Sequence, residues 1–159
     1  VPSPLIGKAA PAFSLAKVEE PTQQIGSKDF AGRKHLVNVW ATWCVECRRE
    51  HEMLLSIAQE NVVPIVGIDW KDELNATQQW LKQLGNPYSA TAFDVEGRTA
   101  IDFGVYGAPE TFLVDERGLI ICKHTGAITA NIWQRVLKPV IQNQAPDKTL
   151  MGVNTVCAS

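Results

Sequence analysis

Apolar and polar positions follow two patterns along this chain, and each pattern predicts one type of secondary-structure element. Continuous apolar, β-favouring runs such as 36–41 predict strands that are covered on both faces. Apolar positions three or four apart, as in 75–84, predict amphipathic helices. The pattern predicts strands at 13–18, 36–41, 62–68, 89–93, 111–114 and 119–124, and helices at 44–60, 75–84, 96–103 and 130–142.

The order of these elements predicts an α/β fold. Strands alternate with helices between 36 and 103, which implies parallel strands with helices on both faces of the sheet. The last two strands flank Asp115-Glu116-Arg117-Gly118, a turn sequence that predicts a β-hairpin at an antiparallel edge. We expect an extended lead-in at 1–10, one domain at 11–143, and a polar, aperiodic and mobile tail at 144–159.

Composition narrows the function classes. The 159 residues are 45% hydrophobic and 20% charged, as in an ordinary soluble globular domain. The net charge of −2 leaves no basic stripe, so we expect no nucleic-acid partner. No run approaches the ~20 apolar residues of a membrane span, and the chain begins at Val1 without Met or a signal sequence. We therefore expect membrane contact only through an N-terminal anchor that is absent from this chain.

Two of the four cysteines, Cys44 and Cys47, have the spacing that carries redox chemistry. Cys44 follows a predicted buried strand and opens a predicted helix, where unpaired N–H groups and the helix dipole favour the thiolate. Cys47 lies one helical turn later and can close a Cys44–Cys47 disulfide. We predict that Cys44 reacts with a substrate disulfide and that Cys47 resolves the mixed disulfide.

Other uses of this cysteine pair fit the sequence less well. A zinc site needs a second pair of ligands at comparable spacing, which the remaining cysteines and histidines do not offer. Covalent haem attachment needs His directly after the second cysteine, where this chain has Arg48. A purely structural disulfide that closes a loop of three residues would restrict the unfolded chain very little and would therefore add little stability. We therefore expect redox chemistry with no metal and no cofactor. Cys122 is either a buried free thiol or the partner of Cys157.

Two motifs resemble known families. Residues 39–47 (VWATWCVEC) resemble the active-site segment of thioredoxin-fold proteins. Residues 104–113 (GVYGAPETFL) resemble a narrower group, the extracytoplasmic thiol–disulfide proteins of cytochrome c maturation, the CcmG/DsbE type related to TlpA and ResA. Residues 7–13 and 67–72 are similar to that group too. The resemblance implies a thioredoxin-like fold, a central mixed β-sheet flanked by helices with an N-terminal β extension.

The resemblance also implies a substrate-binding wall beside the cysteines. In thioredoxin-like proteins the proline that matches Pro109 is cis and faces the cysteine pair; the alternative is an ordinary trans proline at a strand start. A cis bond would leave the backbone of Ala108 free to pair with an extended substrate beside Cys44. The expected substrate-binding residues are Trp43, Trp70, Tyr106, Ala108 and Pro109.

Two acids map onto acidic positions near the cysteines of this family, Glu110 beside Pro109 and Glu50 in the first long helix. A carboxylate there can relay protons to the resolving thiol, whereas the alternative is a solvated surface charge. Thioredoxin has a buried Asp where this chain has Asn38, so we expect another acid, above all Glu110, to replace it. Glu46 within the motif disfavours a neighbouring thiolate, which favours the disulfide and makes the pair a better reductant.

The resemblance implies a specific function. It implies a reductase that keeps the haem-binding cysteines of apocytochrome c, or another maturation protein that holds them, reduced. It also implies a membrane dithiol as electron donor and a location outside the cytoplasm, in the bacterial periplasm or anchored to the inner membrane. Two alternatives remain open, a general extracytoplasmic disulfide reductase with other clients and a non-catalytic module that binds apocytochrome peptides. A peroxidase of the peroxiredoxin group is not expected, because the segment before Cys44 lacks its arrangement of Pro and Thr.

Overall fold

The structure, a computed structural model, describes residues 5–159, and its regular elements follow the predicted order with two additional strands. The strands are β1 (Ser14–Ala16), β2 (Gln24–Gly26), β3 (His35–Trp40), β4 (Ile65–Trp70), β5 (Ala90–Asp94), β6 (Glu110–Val114), β7 (Ile120–Thr125) and β8 (Thr155–Cys157). The helices are α1 (Val45–Glu60), α2 (Leu74–Leu84), α3 (Arg98–Asp102), α4 (Ala130–Ile132) and α5 (Lys138–Ile141), with a π-helical segment (Trp133–Leu137) between α4 and α5.

Six strands form one mixed sheet in the order β5-β4-β3-β6-β7-β8. β4 runs parallel to both β3 and β5, whereas β6, β7 and β8 join by antiparallel pairing. β1 and β2 form a separate antiparallel pair, which meets β5 through a bridge between Lys17 and Ala92. The predicted α/β fold, with a mixed sheet and an N-terminal β extension, is therefore confirmed.

The sheet separates two apolar clusters because successive side chains of a strand point to opposite faces. On β3, Leu36 and Trp40 pack on one face with α1, α2 and the C-terminal helical run. Val37 and Val39 pack on the other face with α3 and the N-terminal segment. Asn38 lies on the first face between two large apolar side chains, and it is fully buried. A polar side chain in that position needs buried partners.

The tail at 144–159 differs from the predicted aperiodic segment. It contains a 3-10 turn (Lys148–Leu150) and strand β8, which extends the sheet beside β7. Cys122 on β7 and Cys157 on β8 face each other and form a disulfide. Of the two alternatives for Cys122, the structure therefore shows the disulfide with Cys157 and not the buried free thiol. A three-residue edge strand is too short to show a period in the sequence, and its pairing depends on contacts with a distant strand.

The N-terminal lead-in predicted at 1–10 falls partly outside the described residues. From residue 5 onward it lies against the end of β7, where Gly7 N–H donates to the carbonyl of Ile120 and Ala9 bridges to Leu119. No helix between residues 5 and 159 has both the length and the apolar character needed to cross a membrane.

Candidate active site

Cys44 and Cys47 form a disulfide at the N-terminus of α1, where the chain leaves the sheet after β3. Cys44 is the N-cap residue with an extended backbone, and its Sγ accepts the N–H of Cys47 at 3.2 Å. The sulfur thus occupies the position at which a helix N-terminus stabilises negative charge. When the disulfide is reduced, this placement favours the thiolate of Cys44.

The Ala108–Pro109 segment forms a wall beside the disulfide. Its peptide bond is cis, as the resemblance implies, and the carbonyl oxygen of Ala108 lies 3.4 Å from Cys44 Sγ. A cleft of about 190 Å³ opens along this wall. It is lined by Glu46, Tyr106, Ala108, Pro109, Glu110 and Lys123. An extended peptide in this cleft would pass directly by the sulfur of Cys44.

The loop before Cys44 is held by the segment that follows β4. The carboxylate of Asp72 accepts both the N–H and the hydroxyl of Thr42, each at 2.7 Å. The indole N–H of Trp43 donates to the carbonyl of Lys71 at 3.0 Å, and its ring contacts Trp70 with 5.7 Å between centroids. Trp43 is 55% exposed while Trp70 is only 9% exposed. Trp70 therefore supports Trp43 from beneath and does not present a surface of its own to a substrate.

A buried acid, Asp69, backs this loop from the end of β4. Its side chain accepts a hydrogen bond from the hydroxyl of Thr77. Burial, followed by the neighbouring carboxylate of Asp72, raises the pKa of Asp69 to about 9. Asp69 is consequently protonated at neutral pH, whereas the pKa of Asp72, the carboxylate that holds Thr42, is lowered and its charge is retained.

Glu50 lies beneath the cysteines, one helical turn after Cys47 on the same face of α1. Its Oε1 accepts from the side-chain amide of Asn38 at 3.1 Å, and its Oε2 accepts from the backbone N–H of Ile128 at 2.8 Å. Burial raises the pKa of Glu50 to about 7, although these two hydrogen bonds favour the carboxylate and oppose the rise. A carboxyl group that titrates near neutral pH is suited to exchange protons with a thiol.

The amide of Asn38 is oriented by a buried tyrosine. Tyr88 OH donates to Asn38 Oδ1 at 2.8 Å, so the amide nitrogen points towards Glu50 and also donates to the hydroxyl of Thr111 at 3.0 Å. Tyr88 can approach because its ring crosses Gly67, where an added Cβ would lie 3.0 Å from the ring and 2.8 Å from Trp40 Nε1. Each of the four side chains of this cluster, those of Asn38, Glu50, Tyr88 and Thr111, therefore has a hydrogen-bond partner within it, and Glu50 has a further partner in the backbone of Ile128.

Glu110 is also buried, yet it has different partners. It lies opposite Val39 on the neighbouring strand, hence on the other face of the sheet from Asn38. Lys123 Nζ lies 3.1 Å from Glu110 Oε1. Burial raises the pKa of Glu110, and Lys123 opposes the rise. The acid in contact with Asn38 is thus Glu50, whereas sequence reasoning ranked Glu110 first for that place.

The structure brings most of the predicted site residues to one end of the sheet. Cys44 caps α1, Cys47 and Glu50 lie on it, and Trp43 and Tyr106 are exposed beside them, with Tyr106 91% exposed. Sequence reasoning missed the groups that orient these residues, because each joins the site from a distant segment. These are Asp69, Asp72, Tyr88, Thr111, Lys123 and the backbone of Ile128. Asp69 and Asp72 lie in the segment 67–72 and Thr111 lies in the segment 104–113, both of which resemble the family, and that resemblance was the available signal.

This arrangement supports dithiol–disulfide exchange. It combines a sulfur at a helix N-terminus, a second sulfur one turn away, a buried carboxyl group with a pKa of about 7 below and an open cleft alongside. Within residues 5–159 no group of three or more His, Cys, Asp or Glu side chains is arranged to hold a metal ion.

Comparison with known proteins gives a consistent result. The Redoxin family model matches residues 5–137. A thiol:disulfide interchange protein DsbE from Allochromatium vinosum is 43% identical over 141 residues, which is 89% of this chain and 78% of that protein. The DsbE protein of Pseudomonas aeruginosa is 44% identical over 142 residues, with 89% and 78% covered. The crystal structure of a secreted thiol-disulfide isomerase from Corynebacterium glutamicum superimposes with a TM-score of 0.74 at 23% identity, over 84% of this chain and 85% of that one.

Proposed function

This chain belongs to the Redoxin family and, within it, to the thiol:disulfide interchange proteins DsbE, and we propose that this thiol–disulfide oxidoreductase reduces disulfides of apocytochrome c, or of a maturation protein that holds apocytochrome c. The observation that carries the proposal is the position of Cys44 Sγ, 3.4 Å from the carbonyl oxygen of Ala108, a residue that also lines the cleft. A client strand beside Ala108 would present its disulfide to that sulfur.

The reaction consumes one dithiol and one disulfide. The Cys44 thiolate attacks one sulfur of the client disulfide, a mixed disulfide forms, and the other client sulfur leaves as a thiolate that takes up a proton. The Cys47 thiol then loses its proton and attacks Cys44. The client leaves as a dithiol, and the Cys44–Cys47 disulfide remains. We assign Glu50 as the proton acceptor for Cys47, because it lies one turn away and its pKa is about 7.

The side chains around the cleft support a short peptide client. Trp43, Val45 and Tyr106 are large apolar side chains that remain exposed around the disulfide, and such a rim suits contact with a partner. Glu46 lines the cleft, and its carboxylate would attract a basic group next to the client cysteines. A Cys-x-x-Cys-His segment carries such a group in its histidine.

Electrons must return to the Cys44–Cys47 disulfide after each cycle, and a membrane dithiol protein is proposed as their source. The same exchange run in reverse passes two electrons and two protons from that dithiol to the cysteine pair. The second disulfide, Cys122–Cys157, supports a location outside the cytoplasm, in the periplasm, because disulfides persist in oxidising compartments. An anchor to the inner membrane is proposed as the route to that donor.

The test of the client uses the reduced chain and three oxidised substrates. These are a Cys-x-x-Cys-His peptide from an apocytochrome, the same peptide with Ala in place of His, and insulin. We expect the His peptide to react at least about tenfold faster than insulin, a difference of roughly 1.4 kcal/mol in transition-state binding. The Ala peptide is expected to fall between the two. Equal rates for all three substrates would indicate the general reductase instead.

A trapping experiment complements these rates. Cys47→Ser blocks resolution, so mixed disulfides through Cys44 accumulate and their partners can be identified. Recovery of apocytochrome or a maturation protein is expected, and recovery of unrelated clients alone contradicts the proposal. A Cys44→Ser chain that still supports cytochrome maturation would indicate the non-catalytic binding module.

A further inference from the structure

Four buried polar side chains form a row across the sheet, from the active site to the C-terminal strand. Asn38, Thr111, His124 and Thr155 are direct register partners on β3, β6, β7 and β8. Register partners share a face, so all four point to the side covered by α1. Each is at most 5% exposed. We call this set the polar row.

His124 is the member of the polar row that links the side chain of Thr155 on β8 to the backbone after β7. Its Nε2 lies 3.0 Å from the carbonyl oxygen of Ala127, and its Nδ1 lies 2.7 Å from the hydroxyl of Thr155. A carbonyl only accepts, so Nε2 carries the proton and Nδ1 accepts from the hydroxyl of Thr155. Burial lowers the pKa of His124, which favours this neutral ring. The carbonyl of Ala127 thus fixes the tautomer, and the hydrogen bond from Thr155 fixes the orientation of the imidazole.

The peptide group that accepts the hydrogen bond from His124 is the same one that donates a hydrogen bond to Glu50. The carbonyl of Ala127 and the N–H of Ile128 belong to one peptide unit, which is planar and rigid. His124 donates to the oxygen at one end, and the N–H at the other end donates to Glu50 Oε2 at 2.8 Å. Rotating this unit would move both contacts together. The orientation of the donor to Glu50 therefore depends on His124.

We propose that His124 is a positioning residue for the redox reaction, and that β8 holds it in place through Thr155. The chain of contacts is Thr155 to His124, His124 to the 127–128 peptide, and the peptide to Glu50 below the cysteines. The Cys122–Cys157 disulfide secures β8 beside β7, two positions from Thr155. The Redoxin match ends at residue 137, so β8 lies outside it. The consequence for the reaction rests on the proposed role of Glu50, whereas the link itself does not.

The link is tested by following the titration of the Glu50 carboxyl carbon by ¹³C NMR in the full chain. Thr155→Val removes the hydroxyl with little change in volume, whereas Thr155→Ser retains the hydroxyl. A looser peptide donates less well to the carboxylate, so the Glu50 midpoint should rise in Thr155→Val, by about half a unit to one unit. In Thr155→Ser it should stay near that of the unsubstituted chain.

A second pair of variants tests His124 itself. His124→Leu removes the donor to Ala127 and should shift the Glu50 midpoint upward by at least as much as Thr155→Val. His124→Gln keeps an N–H donor and should shift it less. Glu46 also acts on Glu50 by charge repulsion from α1, so all variants keep Glu46. Thr149→Val, a matched change at an exposed tail residue bonded only to Asp147, should leave the midpoint unchanged.

Unfolding temperatures of every variant identify those that lose the fold, and Thr155→Ala, which also removes the hydroxyl, and His124→Gln serve where Val or Leu does not fold. A Glu50 midpoint that stays constant in Thr155→Val and His124→Leu, both folded, overturns the proposal. The pH profile of Cys47 resolution provides the functional readout and should move with the Glu50 midpoint. If the midpoint moves while resolution does not respond, the link holds and the role proposed for Glu50 fails.

Discussion

The chain contains two disulfides on the same face of one sheet, and their surroundings give them different tasks. Cys44–Cys47 spans three residues at a helix N-terminus, with an acid of pKa about 7 below it and an open cleft beside it. Cys122–Cys157 spans 35 residues, joins two paired strands, and leaves Cys122 fully buried. The bond is chemically the same in both places. The first pair lies at a helix N-terminus with a titratable carboxyl group one turn away, and these features favour thiol–disulfide exchange there, whereas the second pair joins two strands of the sheet.

Loop length separates the two disulfides energetically as well. A cross-link stabilises a fold mainly by restricting the unfolded chain, and the effect grows with the length of the closed loop. A three-residue loop restricts little, whereas a 35-residue loop contributes on the order of 3–4 kcal/mol. We infer that the first pair can open and close in each cycle at low cost to stability, while the second secures the tail.

The largest expected effect comes from removing each pair in turn. Cys44→Ser should abolish reductase turnover and leave the unfolding temperature of the reduced protein nearly unchanged. The double variant Cys122→Ala/Cys157→Ala should keep the larger part of its exchange activity and lose about 3–4 kcal/mol of unfolding free energy. Denaturant unfolding and peptide reduction measure the two quantities on the same samples. A Cys122→Ala/Cys157→Ala protein with full stability and no activity would reverse the assignment of the two pairs.

A smaller effect is expected from Glu50, the buried acid one helical turn after Cys47. Glu50→Gln removes the proton acceptor, so resolution by Cys47 should slow by about tenfold to a hundredfold at pH 7. The difference should shrink as the pH approaches the ordinary range of a free thiol, near ~8.5, where hydroxide removes the proton unaided. Stopped-flow decay of the mixed disulfide gives the rate. Glu52→Gln, on the exposed face of the same helix, is the matched control.

The same substitution should alter how stability depends on pH. The pKa of Glu50 is about 7 when folded against a usual 4.5, so folding favours its protonated form. Its contribution is fully present below about pH 4.5 and is lost as the pH rises through about 7, by roughly 3 kcal/mol in total. The folded protein should therefore lose stability over that range, and Glu50→Gln should flatten the curve. An unchanged pH curve in Glu50→Gln would mean that Glu50 is solvated.

The sequence allowed the fold and the reacting cysteines to be predicted, but not the groups that tune them. The strong periods at 36–41 and 75–84, together with the spacing of Cys44 and Cys47, are local signals, and they predicted the sheet and the redox pair. The partners of Asn38 come from segments 50, 73 and 12 residues away. Such contacts follow from register and packing, which a single sequence does not display. β8 was missed for the same reason.

The smallest expected effect compares one exposed apolar residue near each disulfide-bearing segment. Tyr106 is 91% exposed at the cleft near Cys44–Cys47, and Val153 is 81% exposed just before β8, the strand that carries Cys157. Neither is packed, so replacing either with Ala should change the unfolding free energy by no more than about 0.5 kcal/mol. Only Tyr106 borders the path of a client peptide, and an aromatic contact of about 0.5–1.5 kcal/mol corresponds to a rise in KM of roughly 2- to 13-fold. We expect this rise, with kcat unchanged, in Tyr106→Ala and not in Val153→Ala. Equal KM values in both variants would show that the exposed ring lies outside the client path, and the wall at Ala108 would then recognise the client through its backbone alone.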